Sequence, residues 1–170
     1  MASNISNARK TATFVSNSEK ETLSLAFKIA ANIKKNDCLA LVGNFGSGKT
    51  VFVKGLACGM RTSKKTYVCS PSFVILKTYS GRLPIYHFDL YRLEHALDLQ
   101  NIGLFDFMSA GGVSVVEWAD KIKNIMPKGC LRIEFSVLGP CKRSIKLSGP
   151  ATDIKRFLKR VKPWTYIQNT

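Results

Sequence analysis

The chain has 170 residues, 45% of them hydrophobic, and its 26 Lys+Arg against 11 Asp+Glu give a formal charge of +15 at pH 7. That length suits one domain with a real core, since a domain of about 150 residues buries roughly 70% of the surface its unfolded chain exposes. No apolar run approaches the ~20 residues that span a bilayer, which argues against a membrane helix. The five cysteines, odd in number and without a Cys-x-x-Cys pair, speak for reduced thiols and a cytoplasmic location rather than a disulfide framework.

The first ten residues carry no element signal and are expected to be flexible. Thr11 to Val15 reads as a short strand. Ser18 with Glu21 three residues on forms a capping box for a helix running to about Lys34, with Leu23, Phe27 and Ala30 on its buried face. Cys38-Leu-Ala-Leu-Val42 is a continuous apolar run, as expected for the centre of a parallel sheet covered on both faces. A helix follows from Thr50 to about Met60. Phe73 to Tyr79 and Leu83 to Leu90 are strand-like and joined by a Ser80-Gly81 turn, and Val113 to Glu117 is another strand. Leu131 to Leu138 and Ser144 to Leu147 alternate around Gly139-Pro140 and are expected to pair antiparallel. Ile154, Phe157, Leu158 and Val161 mark one face of a last helix that stops at Pro163.

Between the central strand and the second helix lies Gly43-Asn-Phe-Gly46-Ser47-Gly48-Lys49-Thr50, which matches the G-x-x-x-x-G-K-[ST] phosphate loop in the context its mechanism requires. Glycines let successive N–H groups converge on one hollow, and a helix N-terminus turns free amides and its dipole toward phosphate oxygens. Lys49 can reach the β- and γ-phosphates, and the Thr50 hydroxyl can ligate Mg²⁺. A dinucleotide fold is disfavoured, because the order is G-x-x-G-x-G and no acid follows about 20 residues on. Zinc is disfavoured as well: the cysteines stand apart, and the only histidines are His87 and His95. The chain therefore reads as a single α/β domain over residues 1–170, with a P-loop NTPase-like, mostly parallel central sheet flanked by helices and an antiparallel C-terminal annex. Residues 150–170 are expected to form a basic helix and tail.

A nucleotide pocket also needs acids, and the stretch from Cys38 to Phe88 has none. Asp89 and Glu117 close apolar strands, where open α/β sheets place their ligands, so both are candidates for the metal and the attacking water. Both can also be read as ordinary strand ends, and His87, Trp118, Tyr86 and Tyr91 as core aromatics. The hydroxyls of Ser70-Pro71-Ser72 can either cap a turn or sense the γ-phosphate as a switch loop does.

With Gly43 to Thr50, Ser70-Pro-Ser-Phe73, His87-Phe-Asp-Leu-Tyr-Arg92, Ile102-Gly-Leu104 and Glu117-Trp118 in this order, the chain resembles the bacterial TsaE (YjeE) ATPases over roughly Thr13 to Leu147. The resemblance implies a slow, Mg²⁺-dependent ATPase that supports formation of threonylcarbamoyladenosine on tRNA together with TsaB-like and TsaD-like proteins. It implies that Phe45, Gly46, Ser47, Gly48, Lys49 and Thr50 hold ATP, that Thr50 and Glu117 ligate Mg²⁺, and that Asp89 assists the metal or the water. Ser72 would belong to the switch loop, Glu19 would border the nucleotide and Trp118 would pack beside it. The family usually has an acid where this chain has Asn44, and Thr where it has Ser72. Two other readings stand beside this one: a small-molecule or nucleotide kinase, which lacks an Arg-rich lid here, and a nucleotide-regulated RNA-binding module. The charge bears on the last, because ten cations face two acids after Pro127, and Lys155, Arg156, Lys159, Arg160 and Lys162 line the final helix. Contact with tRNA through this basic C-terminal region is the expectation it raises.

Overall fold

The computed structural model describes residues 8–93 and 102–161. Strand β1 (Arg9–Ser16) starts two residues earlier than expected, so the stretch read as flexible gives Arg9 and Lys10 to a ladder with Pro150 and Gly149. Helix α1 (Glu19–Ala30) begins where the capping box puts it: Ser18 Oγ accepts from Glu21 N at 3.2 Å. The Glu21 carboxylate reaches back one residue further than the motif prescribes, accepting from Asn17 N at 2.7 Å. The helix is shorter than expected and turns another face inward. Thr22, Leu25, Ala26, Ile29 and Ala30 are buried, while Phe27 is 50% exposed and Leu23 only half-buried.

The reason lies in the helix it packs on. After β2 (Cys38–Val42) comes α2 (Lys49–Gly59), where Gly55 faces α1. A Cβ at Gly55 would run into the Leu23 carbonyl and the Ala26 side chain. The backbones of the two helices meet directly, so it is the main chain of Leu23 that lies at the seam.

Strands β3 (Leu76–Tyr79) and β4 (Ile85–Asp89) form the expected hairpin, but β3 starts three residues late. Residues 72–74 turn instead, with Val74 N donating to Pro71 O, and Ile75 takes φ 63°, a conformation rare for a β-branched residue. Then follow α3 (Leu104–Met108), β5 (Val113–Glu117), a 3₁₀ turn (Ala119–Ile122), β6 (Leu131–Val137), β7 (Arg143–Pro150) and α4 (Ala151–Phe157). The helix α4 ends before Pro163, although Leu158 and Val161 still pack on the core. Lys162 and the expected tail lie outside the described residues, as does His95.

The seven strands among the described residues form one sheet in the order β1-β7-β6-β2-β5-β4-β3. Three ladders are parallel (β6–β2, β2–β5, β5–β4) and three antiparallel (β1–β7, β7–β6, β4–β3), so the sheet is mixed rather than mostly parallel. The hairpin β6–β7 was expected; β1 joins it as a third antiparallel strand. Alternation along β2 explains the continuous apolar run: Leu39 and Leu41 point into a core shared with α1, α2 and α4, and Cys38 and Ala40 into a second core under α3 and the 3₁₀ turn. Each fully buried Leu, Ile or Phe there contributes about 1.5–3 kcal/mol relative to exposure. The expectation of five reduced thiols is corrected at one pair: Cys38 and Cys130, 92 residues apart, form a disulfide with Cα atoms 4.7 Å apart, whereas Cys58, Cys69 and Cys141 are free. No helix among the described residues is long and apolar enough to cross a membrane.

Candidate functional site

Three adjacent parallel strands, β2, β5 and β4, end at one edge of the sheet, and their carboxyl ends build the site. Register places Leu41 opposite Glu117 and Glu117 opposite Asp89, so the loop after β2 opens beside two carboxylates from neighbouring strands. The loop is shaped by glycines. Gly48, at the N-cap of α2, has φ 104°, and a Cβ on Gly43 would lie 2.6 Å from the Phe135 carbonyl oxygen. No side chain caps α2 and no acid sits in its first turn, which leaves its free amides facing the hollow.

A cavity of about 570 Å³ lies over this edge. Phe45, Gly46, Ser47, Gly48, Lys49 and Thr50 line one side, and Ser72, Asp89, Glu117 and Trp118 the other, so nearly every residue singled out in the sequence converges here. Glu19 is the exception: it is exposed in the first turn of α1 and does not line the cavity. Its rim is aromatic, with Phe45 86% and Phe73 82% exposed and Arg92 stacked over the Phe73 ring at 4.1 Å.

Lys49 is buried, and its ammonium donates to the carbonyls of Gly43 (2.7 Å) and Asn44 (3.0 Å) while resting 4.0 Å over the Trp118 ring. Burial pushes Lys49 below its ordinary 10.5, and Glu117, Asp89 and Asp120 pull the other way. Asn44 holds Lys49 through its main-chain carbonyl, so the missing acid at that position leaves this contact intact. Trp118 itself sits at φ 59°, and its ring packs 5.1 Å from that of Tyr91. Such left-handed non-glycine residues cluster where surrounding structure enforces them, often at functional sites.

The two acids differ in their partners. Glu117, buried, accepts from Thr50 Oγ1 at 2.9 and 3.1 Å through its two oxygens and has His87 Nε2 at 2.9 Å. Asp89, also buried, accepts from Tyr91 N at 2.9 Å and from the Ser70 hydroxyl, which ties the 70–72 loop to the end of β4. Beyond His87 the chain of contacts continues to Tyr79, whose hydroxyl lies 3.4 Å from Nδ1 and donates to Cys69 O at 3.2 Å. His87 and Ser70 are the side chains at the site that residue-by-residue reading placed least well; only the register of β4 beside β5, which puts His87 two residues before the Asp89–Glu117 pair and on the same face of the sheet, reveals the first of them.

Thr50, Glu117 and Asp89 offer only oxygen, the donor chemistry that Mg²⁺ takes. No group of three or more His, Cys, Asp or Glu among the described residues can cage a metal. Ser47 Oγ, fully buried at the base of the loop without a hydrogen-bond partner among the described residues, is a further polar atom turned to no protein group.

The family model described as "Threonylcarbamoyl adenosine biosynthesis protein TsaE" matches residues 16–145. The tRNA threonylcarbamoyladenosine biosynthesis protein TsaE of Bacillus subtilis is 39% identical over 127 residues, covering 74% of this chain and 78% of that one. Its namesake in Treponema pallidum is 33% identical over 134 residues, 79% of this chain and 98% of the relative. The crystal structure of Bacillus subtilis YdiB superposes with a TM-score of 0.74 at 32% identity, covering 91% of this chain and 95% of that chain.

Proposed function

The chain belongs to the TsaE family of threonylcarbamoyl adenosine biosynthesis proteins, and from that premise we propose that it is a slow Mg²⁺-dependent ATPase of tRNA modification. It binds ATP in the cavity at the ends of β2, β5 and β4 and supports TsaB-like and TsaD-like proteins that form threonylcarbamoyladenosine. The observation that carries the reading is the bond from Thr50 at the foot of the phosphate loop to Glu117 at the end of β5. It brings together the hydroxyl and the carboxylate that a Mg²⁺–phosphate unit requires, at the mouth of a helix whose free amides suit the phosphates.

In this reading Lys49 exchanges the Gly43 and Asn44 carbonyls for phosphate oxygens, which give its buried ammonium an opposite charge. Thr50 and Glu117 hold Mg²⁺, which when bound neutralises the phosphate charge that builds up during transfer. Asp89 orients water and, through Ser70, couples the phosphate end of the pocket to the 70–75 loop. The left-handed Ile75 marks that loop as strained, the kind of segment that a γ-phosphate can reset. Phe45, Ser72 and Trp118 enclose the nucleotide, and Tyr91 supports Trp118.

Phosphate release by the purified chain tests the reading. Without partners the rate is expected near ~10⁻³ per second, as for P-loop enzymes lacking a supplied arginine, to require Mg²⁺, and to rise with the partner proteins. Turnover of many cycles per second alone, or transfer of labelled phosphate to a hydroxyl acceptor as a kinase would perform, overturns it.

A further inference from the structure

The antiparallel half of the sheet has an outer face that the nucleotide site does not use. In β1, β7 and β6, residues pointing to the core alternate with polar ones: Ala12 and Phe14 with Thr11 and Thr13, Ile145 and Leu147 with Ser144 and Lys146, Leu131 and Ile133 with Arg132 and Glu134. The helix α4 packs on the inner side, with Ile154 and Phe157 in the same core as those apolar residues. The polar side is half-buried or exposed. At one end it deepens into a cavity of about 230 Å³, whose lining carries Arg9, Lys123, Lys128 and Arg132.

The charge of this face is one-sided. Glu134 is its acid, and it is engaged by Arg132 at 2.9 Å and lies opposite Lys146 in the β6–β7 register. Among the described residues no acid pairs with Arg9, Lys123, Lys128 or Lys146. The last helix is less suited to a polyanion than its sequence suggests. Arg156 there is already bound to Asp37 (2.7 and 2.9 Å) and Asp153 (2.9 Å).

We propose that the outer face of β1–β7–β6, with its cationic cavity, binds the phosphate backbone of RNA, and, resting on the family reading above, that the RNA is tRNA. Hydroxyls and cations interleaved on a sheet are the donors that backbone contacts use. The Thr13–Lys146 pair and Arg9 are four residues apart along β1, roughly 13 Å at ~3.3 Å per residue, enough to meet successive phosphates rather than one. A protein partner would call for a large apolar anchor at the centre, and the apolar residues in the cavity wall are Ala40, Ala119, Met126, Pro127 and the disulfide-bonded Cys130, with no aromatic among them.

Fluorescence anisotropy of labelled unmodified tRNA with the full chain, titrated with salt, tests this. Lys123, Lys128 and Lys146 are exposed, so a K123E/K128E/K146E variant should fold, which a melting curve checks. It should lose at least about tenfold in tRNA affinity at 0.1 M salt and flatten the log–log salt slope by roughly two to three, as expected for three lost phosphate contacts. A K155E/K159E/R160E variant of the last helix serves as control and should lose distinctly less. Binding of a fluorescent ATP analogue should be unchanged in both. Unaltered tRNA affinity in the first variant, a salt-independent affinity, or an equal loss in the control overturns the proposal and leaves the face to an acidic protein surface. Because ATP binding is read separately, failure of the ATPase reading with salt-dependent tRNA binding intact would leave the RNA-backbone site standing.

Discussion

Thr50 and Glu117, 67 residues apart in sequence, are joined by one hydroxyl that reaches both oxygens of one carboxylate, at 2.9 and 3.1 Å. This bond links the phosphate loop after β2 to the end of β5, and the parallel pairing of those two strands is what allows it. His87 Nε2 sits on the same carboxylate at 2.9 Å from the other neighbour, β4. Glu117 is therefore the point where three strands report to one another, buried yet supplied with partners for its charge.

Glu117→Gln keeps the size of the side chain but removes the charge on which the proposed Mg²⁺ site depends. A fluorescent ATP analogue should still bind, because the loop amides and Lys49 are untouched, while Mg²⁺-dependent phosphate release should drop by about 100-fold or more, the scale of one removed catalytic electrostatic contact. Glu117→Ala should show the same loss of hydrolysis and in addition lower stability by roughly 1–3 kcal/mol, since Thr50 and His87 lose their acceptor. Full hydrolysis by either variant would show that the metal is held elsewhere.

His87 carries a different prediction. It does not line the cavity, so it acts through Glu117 and Tyr79 as a positioning residue. His87→Ala should reduce kcat more than it raises KM for ATP, with a stability loss of about 1–3 kcal/mol from the unpaired buried carboxylate. His87→Gln, whose amide can donate to Glu117, should recover part of kcat. Equal stability loss in the two variants with equal, undiminished kcat would reduce His87 to a packing residue.

The legibility of these features in the sequence was uneven for physical reasons. A buried parallel strand running into three glycines and Lys-Thr has few alternative readings, so β2, the loop and α2 are placed almost residue for residue. Strand-end acids follow from the same logic, since Asp89 and Glu117 are in register only if β4 and β5 are parallel neighbours. Leu23 and Phe27 mislead because a 3.6-residue period shows that a helix has faces, but not that a glycine on the opposing helix lets backbone meet backbone. A lone histidine on a strand is usually core, and His87 is indeed core by burial; its bond to Glu117 is a property of register, not of spacing. The Cys38–Cys130 pairing and the addition of β1 beside β7 depend on contacts 92 and more than 100 residues apart, for which local pattern has no signal.

Arg156, a candidate for RNA contact in the sequence, is a tie within the fold. Its guanidinium donates to both oxygens of Asp37, to Asp153 and to Asn32 O at 2.7 Å, fastening α4 to the loop between α1 and β2. Burial works against its charge, but the bonds to Asp37 and Asp153 outweigh that and hold its pKa above the usual arginine value. Arg156→Ala should destabilise the chain by about 1–3 kcal/mol in urea unfolding, a figure kept below that for fully buried pairs because the site is partly open to solvent. Arg156→Lys should recover little, because one ammonium cannot reproduce the fork. Nucleotide binding should be unaffected in both, since α4 lies away from the cavity; tRNA affinity falling in proportion to the lost charge instead would return Arg156 to the RNA surface.

Lys49 makes the stability of the nucleotide-free chain depend on pH in a predictable direction. Burial lowers its pKa in the folded state below the ordinary 10.5, against the pull of Glu117, Asp89 and Asp120. Between that lowered value and 10.5 the unfolded chain holds more protons at this position than the folded one, so stability rises with pH across the window. As pH falls through the folded value this contribution is lost, and at neutral pH the buried ammonium is a net cost that phosphate would offset. Lys49→Met removes the titration. The difference in unfolding free energy between the natural chain and the Met variant, followed by urea denaturation from pH 7 to 10, should therefore shift in favour of the natural chain as pH rises. The same variant should lose productive ATP binding, because no cation remains to meet the β- and γ-phosphates. A pH-independent difference would mean that Lys49 is as well solvated folded as unfolded, and that its bonds to Gly43 and Asn44 do not compensate a desolvated charge.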